Sequence, residues 1–384
     1  MKRRKARGLS QEALGHAVGV DRTTIFRWEN GDTEPQPAVR PRLAEVLDIS
    51  LDELSRLIDS EDVPQRAVLL MPEDVRQGEK GHRKAPVDDD YLGFVRDRIA
   101  HLVEMDLSFG GDQSSALAVQ ALGNLSRKME VASIPLRLER DLQASAAELA
   151  EVTGWLLYDA AKHDAARDVN RQALRMSRAA GDHAMELLVT QNMAMHAAHL
   201  GRPAEALTLA RQVLETNRLT PRLEALFRTR EARALAQGGD ISGALDSFAK
   251  ARSLYMEGVR DSEPYWFWWI NDQEILWHEG MIYSDLGRWS DSLEALQRSI
   301  EVTPARERRR RYHNLASLLD VQVMAGAWVD LESTMEGLLV YTGEINSSRV
   351  NEILLSATAK VLHSPASSSA MDAAAMLREE IADV

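Results

Sequence analysis

The amino-acid sequence predicts an all-α protein made of two unlike parts. Two short amphipathic helices joined by a tight turn are expected within residues 9–31, where Ser10 and Asp21 suit helix starts and Gly19 and Gly31 suit helix ends. From residue 91 onward, helical hairpins recur at glycine-containing turns. The composition is 45% hydrophobic, 27% charged and 5% aromatic, a balance that favours soluble helices over sheets.

The residue content excludes several classes of protein. The chain has no cysteine, which rules out disulfides, thiolate nucleophiles and cysteine-based metal sites. The sequence contains no apolar run long enough to span a membrane and no apolar signal segment, so a cytoplasmic protein is expected. Phosphate-binding glycine loops, zinc-protease helices and nucleophile elbows are also missing from it. We therefore expect no enzyme activity, no catalytic residues and no cofactor.

The charge is unevenly distributed. The formal net charge of the whole chain is −13, yet residues 1–58 hold ten Lys and Arg against nine Asp and Glu. Five of these cations lie in the first seven residues. Because phosphate attraction depends on charge within about 10 Å, an acidic body does not prevent a basic tip from binding nucleic acid.

The second predicted helix has two faces of different chemistry. Ile25 and Trp28, three positions apart, are expected to face inward. The opposite face carries side chains that suit the major groove, since Arg can donate two hydrogen bonds to guanine and Thr offers a hydroxyl and a methyl group. These residues are Arg22, Thr23, Thr24 and Arg27. The pattern favours base recognition over a plain helical bundle.

The run from Leu9 to Gly31 resembles the XRE, or phage-repressor, family of helix-turn-helix proteins. The agreement lies in Leu9-Ser10-Gln11, Leu14, Gly19-Val20, Thr24-Ile25 and Trp28-Glu29-Asn30-Gly31. The resemblance implies a five-helix lambda-repressor-like domain that binds double-stranded DNA. It also implies that Arg22, Thr23 and Arg27 read bases, that Gln11 contacts a base or the backbone, and that Asn30 contacts a phosphate. The first helix, Lys2 to Ala6, is shorter than in the family.

The domain boundaries follow from where periodicity fails. We predict a DNA-binding domain at 1–58, a linker at 59–90, a repeat domain at 91–365 and a C-terminal helix or tail at 366–384. The linker is charged and interrupted by several prolines and glycines. Its length prevents the spacing of DNA half-sites from being deduced.

The repeat domain is marked by a turn glycine followed five residues later by a small or apolar residue. Clear copies begin at Gly201, Gly239, Gly287 and Gly326, with weaker copies at Gly111 and His163. The pattern resembles the tetratricopeptide repeat, which implies a right-handed superhelix with a concave binding groove. The combination resembles actinobacterial XRE-type regulators with tetratricopeptide sensor domains. Residues implied on the groove surface are Trp155, Gln191, Asn192, Arg230, Arg233, Trp277 and Met281.

Three clusters leave more than one interpretation open. The aromatic residues concentrated between 265 and 289 either fill space between repeats or line a ligand pocket. The arginines at 306 and 308–311 either form a solvated helix start or bind an anion, peptide carboxylate or partner. His196 and His199 form a close pair without a third ligand nearby in sequence, so we expect no metal site.

We therefore expect a homodimeric transcriptional regulator. Its repeat domain would sense a peptide, small-molecule or protein signal and control two DNA-binding heads. In the alternative, the repeats form a scaffold or anti-regulator that holds a protein partner, and the N-terminal domain serves for localisation or dimerisation.

Overall fold

The computed structural model describes residues 3–4, 7, 9–20, 22–30, 35, 39–51, 54, 87–260 and 263–382. Every regular element in these residues is helical, which confirms the all-α class. The first helices are α1 (Gln11–Val18), α2 (Arg22–Asn30) and α3 (Arg40–Leu47). They enclose a small core of their own, built from Leu14, Val18, Ile25, Val39, Leu43, Ala44, Leu47 and Leu54.

The larger part of the chain is a series of helices joined mostly by short turns. It begins with α4 at Asp89, two residues earlier than predicted, because the Asp88 side chain accepts a hydrogen bond from Tyr91 N and caps the helix. Residues 59–86 of the predicted linker lie outside the described residues. The helices are α4 (Asp89–Phe109), α5 (Gly111–Val131), α6 (Leu136–Asp159), α7 (His163–Ala180), α8 (His183–His199), α9 (Pro203–Thr216), α10 (Pro221–Gln237), α11 (Ile241–Met256), α12 (Asp272–Asp285), α13 (Trp289–Val302), α14 (Arg308–Ala325), α15 (Leu331–Leu339), α16 (Ser348–Val361) and α17 (Ser368–Ala382).

The four predicted glycine turns share one backbone conformation. Gly201, Gly239, Gly287 and Gly326 all have φ between 65° and 81°, the left-handed region in which glycine avoids a steric penalty. In each turn, the N–H after the glycine bonds back to a carbonyl five residues earlier, at 2.8–2.9 Å. The residues five positions after the glycines are fully buried between paired helices: Ala206, Ala244, Ser292 and Leu331.

The turn between α6 and α7 has the same geometry without a glycine. Ala161 occupies the left-handed position with φ 55°, Lys162 N bonds to Leu157 O at 2.8 Å, and Ala166, five residues on, is fully buried. This explains why the copy at His163 looks weak in the sequence, since the marker glycine is replaced by a residue that is strained there.

Replacing Ala161 by glycine should stabilise the protein. The left-handed conformation costs a non-glycine residue about 1–2 kcal/mol, and the substitution removes this strain. The greater conformational entropy of glycine in the unfolded chain offsets about 0.5–1 kcal/mol of the gain. We expect a net gain of roughly 0.5–1 kcal/mol, measured by urea unfolding. The control Ala249→Gly, at an exposed position inside α11, should lose about 1 kcal/mol. A loss in both variants would contradict the turn assignment.

The first helices of successive pairs line the inside of the array. Helix α6 packs on α8, α8 on α10 and α10 on α12, and α14 packs on α16. Helix α14 also contacts α4, and α16 contacts α6. The last pairs therefore return to the first, and the inner face encloses a cavity where the sequence predicted a groove.

The closure depends on a backbone contact between residues far apart in the chain. Asn346 N donates to Phe109 O at 2.7 Å, and Asp112 N donates to Asn346 O at 3.2 Å. A Cβ on Gly110 would lie 2.4 Å from Asn346 O. Only a glycine therefore lets the two segments approach this closely.

In the described part of the chain, no helix is both long and apolar enough to cross a membrane.

Candidate DNA-binding surface and ligand cavity

Helices α1 and α2 meet at a short turn fixed by local hydrogen bonds. The Ser10 side chain accepts a hydrogen bond from Ala13 N at 2.9 Å and starts α1. Gly19 ends it with φ 78°, as the sequence predicts. Ile25 is buried and Trp28 is half-buried against the same core, so the inner face of α2 is confirmed. The predicted cap Asp21 and stop Gly31 lie outside the described residues.

Glu29 at the end of α2 ties the N-terminal segment to this helix pair. Arg4 donates two hydrogen bonds to its carboxylate, at 2.9 and 3.0 Å, and Gln11 Nε2 donates a third at 2.8 Å. Burial alone would raise the pKa of Glu29, but these hydrogen bonds lower it to about 2. Gln11, a predicted DNA contact, therefore has a structural bond that orients it at the start of α1.

The outer face of α2 is only partly described. Arg22 is exposed at the first turn of the helix, and Thr24 is half-buried. The side chains of Thr23, Arg27 and Asn30, which the sequence also assigns to DNA contact, lie outside the described residues. Arg22 thus remains accessible to a duplex with the N-terminal helices in the arrangement seen here.

The comparison with known families applies to this N-terminal part. Residues 1–54 match the family model described as Helix-turn-helix. These residues form an XRE-type helix-turn-helix domain. A search of curated proteins found no match to the chain. The assignment rests on the first 54 residues, and the helical array behind them is described by its own geometry.

The helix-turn-helix domain contacts the helical array through α3. Arg40 lies 3.7 Å from Asp97 of α4, and Glu45 pairs with Arg306. The ring of Tyr265 packs against the hydrophobic cores of both parts. These contacts involve α3 and leave Arg22 of α2 exposed.

A cavity of about 230 Å³ lies inside the array. Four tryptophans contribute to its wall: Trp155, Trp266, Trp269 and Trp277. Leu107 of α4 is on the wall and is 41% exposed. Trp266 is 1% exposed and fills space between helices while it also lines the cavity. The side chain of Trp268 is outside the described residues.

The indole N–H groups of three of these rings bond to the protein. Trp155 Nε1 donates to Asp106 Oδ2 at 3.1 Å, Trp266 Nε1 to Ala184 O at 2.8 Å, and Trp277 Nε1 to Ser317 Oγ at 3.0 Å. These bonds fix the rings and leave mainly carbon surface and π electrons for the wall.

Asp159 stands at the centre of a buried ion network on the same wall. Arg349 donates to Asp159 Oδ1 at 2.9 Å, and Arg309 lies 3.1 Å from Asp159 Oδ2 and 3.1 Å from Asp106 Oδ1. Gly111 N adds a backbone bond at 3.0 Å. Burial opposes ionisation, but the two guanidiniums and the N–H hold the pKa of Asp159 well below its usual range.

The arginine run is a solvated helix start only in part: α14 begins at Arg308 and Arg306 is exposed, but other arginines of the run bond to the rest of the protein. Arg309 is half-buried and lies 3.1 Å from both Asp106 and Asp159, and Arg311 donates to the carbonyls of Ile300 and Thr303. The other arginines pair with Glu45, Glu344 and Glu307. Sequence periodicity could not reveal this, because three of the acidic partners, Glu45, Asp106 and Asp159, lie about 150 or more positions away along the chain.

Several predicted groove residues meet in one buried polar chain. Arg230 Nη2 donates to Gln191 Oε1 at 2.8 Å, Gln191 bonds to Asn192, and Asn192 Nδ2 donates to Glu151 Oε1 at 2.8 Å. Arg230 also contacts His278. Of the predicted set, Trp155, Asn192 and Trp277 line the cavity, whereas Gln191 and Arg230 are fully buried and bonded to neighbours.

The two remaining predicted groove residues support the wall from nearby. Arg233 pairs with Asp285 at 3.2 Å and lies over the Trp277 ring at 5.6 Å. Met281 packs in the hydrophobic cluster that contains Trp277. Sequence reasoning missed Glu151, Asp106 and Asp159, although Glu151, Trp155 and Asp159 follow one another at four-residue spacing on one face of α6.

A third histidine joins the predicted pair. His163 Nδ1 lies 3.1 Å from His196 Nε2, and the rings of His163 and His199 are 5.6 Å apart. Burial lowers the pKa of His196 to about 4 and that of His199 to about 3. Within the described residues, no group of three or more His, Asp or Glu is arranged to hold a metal ion.

Proposed function

We propose that this chain is a sequence-specific DNA-binding transcriptional regulator, a cytoplasmic protein without enzyme activity. The observation that carries the proposal is the helix-turn-helix match at residues 1–54 together with the exposed Arg22 at the start of α2. Arginine at that place can donate two hydrogen bonds to a guanine edge in the major groove. Two such domains in a homodimer would read a pseudo-palindromic site.

We further propose that the helix pairs are of the tetratricopeptide type and that the array senses a signal through its cavity. The segment 264–270 supports this, because it contacts both parts of the protein. Trp266 and Trp269 line the cavity, while Tyr265 beside them packs on the core of the helix-turn-helix domain. A ligand that moves these indoles would also move Tyr265 and change its contact with the helix-turn-helix domain. Coupling between ligand binding and DNA binding requires such a contact that differs between two states.

Replacing Arg22 by alanine should weaken binding to the preferred duplex by about 1–3 kcal/mol, roughly 5- to 150-fold. The wild-type protein is first used to select its preferred duplexes from a random pool, and these selected duplexes define the binding site. Dissociation constants are then measured by fluorescence anisotropy at fixed salt, on selected and scrambled duplexes.

The control for net charge is Arg175→Ala, an exposed arginine on α7 of the array. It should leave the affinity for the selected duplex within twofold. Selection that enriches no sequence, or equal affinities of Arg22→Ala and Arg175→Ala proteins, would overturn the proposed function.

A further inference from the structure

The cavity wall carries four acidic side chains, and one of them differs from the others. Asp159 and Asp106 contact arginines at 2.9–3.1 Å. Burial opposes ionisation of Glu274, but its carboxylate bonds to His278 and is stabilised by the charges of Arg310 and Arg230, so its pKa is lowered to about 2. Glu151 accepts a hydrogen bond from Asn192, and among the described residues no cation forms an ion pair with it. A buried carboxylate without a positive partner is costly unless it is neutral or a ligand supplies the charge.

The three arginines on the wall are already matched. Arg309 contacts Asp106 and Asp159, Arg349 contacts Asp159, and Arg310 contacts Glu307 at 3.3 Å. Arg309 Nε and Nη2 and Arg349 Nε have no hydrogen-bond partner among the described residues, but an anion bound to them would lie beside the Asp106 and Asp159 carboxylates. A cationic ligand would find Glu151 available and an aromatic wall, whose π electrons attract cations.

We propose that the cavity binds a small organic cation, an ammonium group on an aromatic or apolar body, with Glu151 as its counter-charge. This inference rests on the sensing role proposed above and names the class of ligand for it. At about 30 Å³ per water molecule, a cavity of about 230 Å³ holds the equivalent of seven or eight waters. A ligand of on the order of ten non-hydrogen atoms fits that space.

The surroundings of Glu151 give the binding a pH dependence. Burial is the main cause of the rise in the pKa of Glu151 to about 8. The charges of Glu148 on the same helix and Asp106 on α4 also raise this pKa, and the hydrogen bond from Asn192 of α8 lowers it. Tyr265 of the aromatic segment also lies close to it. Glu151 is therefore a neutral acid near pH 7 and must lose its proton when a cation binds. Affinity for a cation should rise with pH as Glu151 ionises.

Three probes of similar shape test the proposal on the full chain by calorimetry: 2-phenylethylammonium, neutral 2-phenylethanol and anionic 3-phenylpropionate. At pH 8.5 we expect the cation to bind at least tenfold more tightly than the alcohol, and the anion to bind more weakly than either. Affinity for the cation should fall at least tenfold between pH 8.5 and pH 6, and that for the alcohol should stay within threefold.

The variant Glu151→Gln keeps the shape and the bond to Asn192 but removes the charge. It should abolish the preference for the cation and most of its pH dependence, while the alcohol still binds within threefold of wild type. Glu139→Gln, an exposed position on the same helix, should behave as wild type. The alcohol also reports whether the variant cavity is folded.

Three results would overturn the proposal: equal affinities for cation and alcohol, tighter binding of the anion, or no binding of any probe at millimolar concentration. A preference for the cation that survives in Glu151→Gln would overturn the role of Glu151. These measurements contain no DNA, so their failure leaves the DNA-binding result with Arg22→Ala standing and is distinct from a failure of the proposed function.

Discussion

Replacing Asp159 by asparagine is expected to lower the free energy of unfolding by about 3–5 kcal/mol, because removal of one partner leaves buried opposite charges uncompensated. Arg309 and Arg349 would then face an amide that carries no negative charge. Asparagine keeps only one acceptor oxygen, for which Gly111 N, now bonded to Oδ2, and Arg349, now bonded to Oδ1, would compete. The measurement is the urea midpoint at pH 7, followed by circular dichroism and tryptophan fluorescence.

The matched control is Asp246→Asn, an exposed aspartate within α11. Its substitution should change stability by less than about 0.5 kcal/mol. A loss in Asp159→Asn no larger than in this control would mean that the ion network contributes little to folding.

The wild-type protein and the Asp159→Asn variant should also differ in how their stability depends on pH. The pKa of Asp159 is held below its usual range by Arg309 and Arg349, so its folded state favours the ionised form. Its contribution to stability is complete above the unfolded-state pKa of about 3.9 and is lost as the pH falls through the lower folded-state value. Wild type and Asp159→Asn should therefore differ fully at pH 7 and converge below about pH 4.

Replacing Gly110 by alanine should open the closed array and cost at least about 3 kcal/mol. Gly110 has φ 86° and ψ −179°, a region open essentially to glycine alone, where strain costs about 1–3 kcal/mol. The added Cβ would also clash with Asn346 O at 2.4 Å. The two backbone hydrogen bonds of the closure, worth about 0.5–1.5 kcal/mol each, would be lost as the segments separate.

Gly123→Ala on the neighbouring helix α5 is the control for this substitution. A Cβ there meets nothing closer than Arg127 Nη1 at 3.9 Å, so the change should stabilise the helix by about 0.5–1 kcal/mol. Besides urea unfolding, small-angle scattering should show a larger radius of gyration for the Gly110→Ala protein. An unchanged radius and an unchanged midpoint would rule out closure at this contact.

Features that depend on interactions between residues close together in the sequence could be predicted, and those that depend on distant residues could not. Ser10, Gly19 and Ile25 act within one helix pair, and the left-handed glycines act within one turn. Such features repeat with fixed spacing and can be read from sequence. The partners of Arg309 are about 150 and 200 positions away, so residue spacing along α14 suggested a solvated helix where the structure has a buried ion network.

Helix caps, turns and amphipathic faces are set by neighbours a few residues apart. The helical class, the helix-turn-helix unit and the spacing of the hairpins could therefore be predicted from residue order alone. Long-range packing alone brings Asn346 against Phe109, leaves Glu151 on the cavity wall with no ion-pair partner among the described residues, and places Tyr265 between both cores. These features depend on contacts between segments that are far apart in the chain. The spacing of residues along one helix does not indicate which distant segments will be in contact.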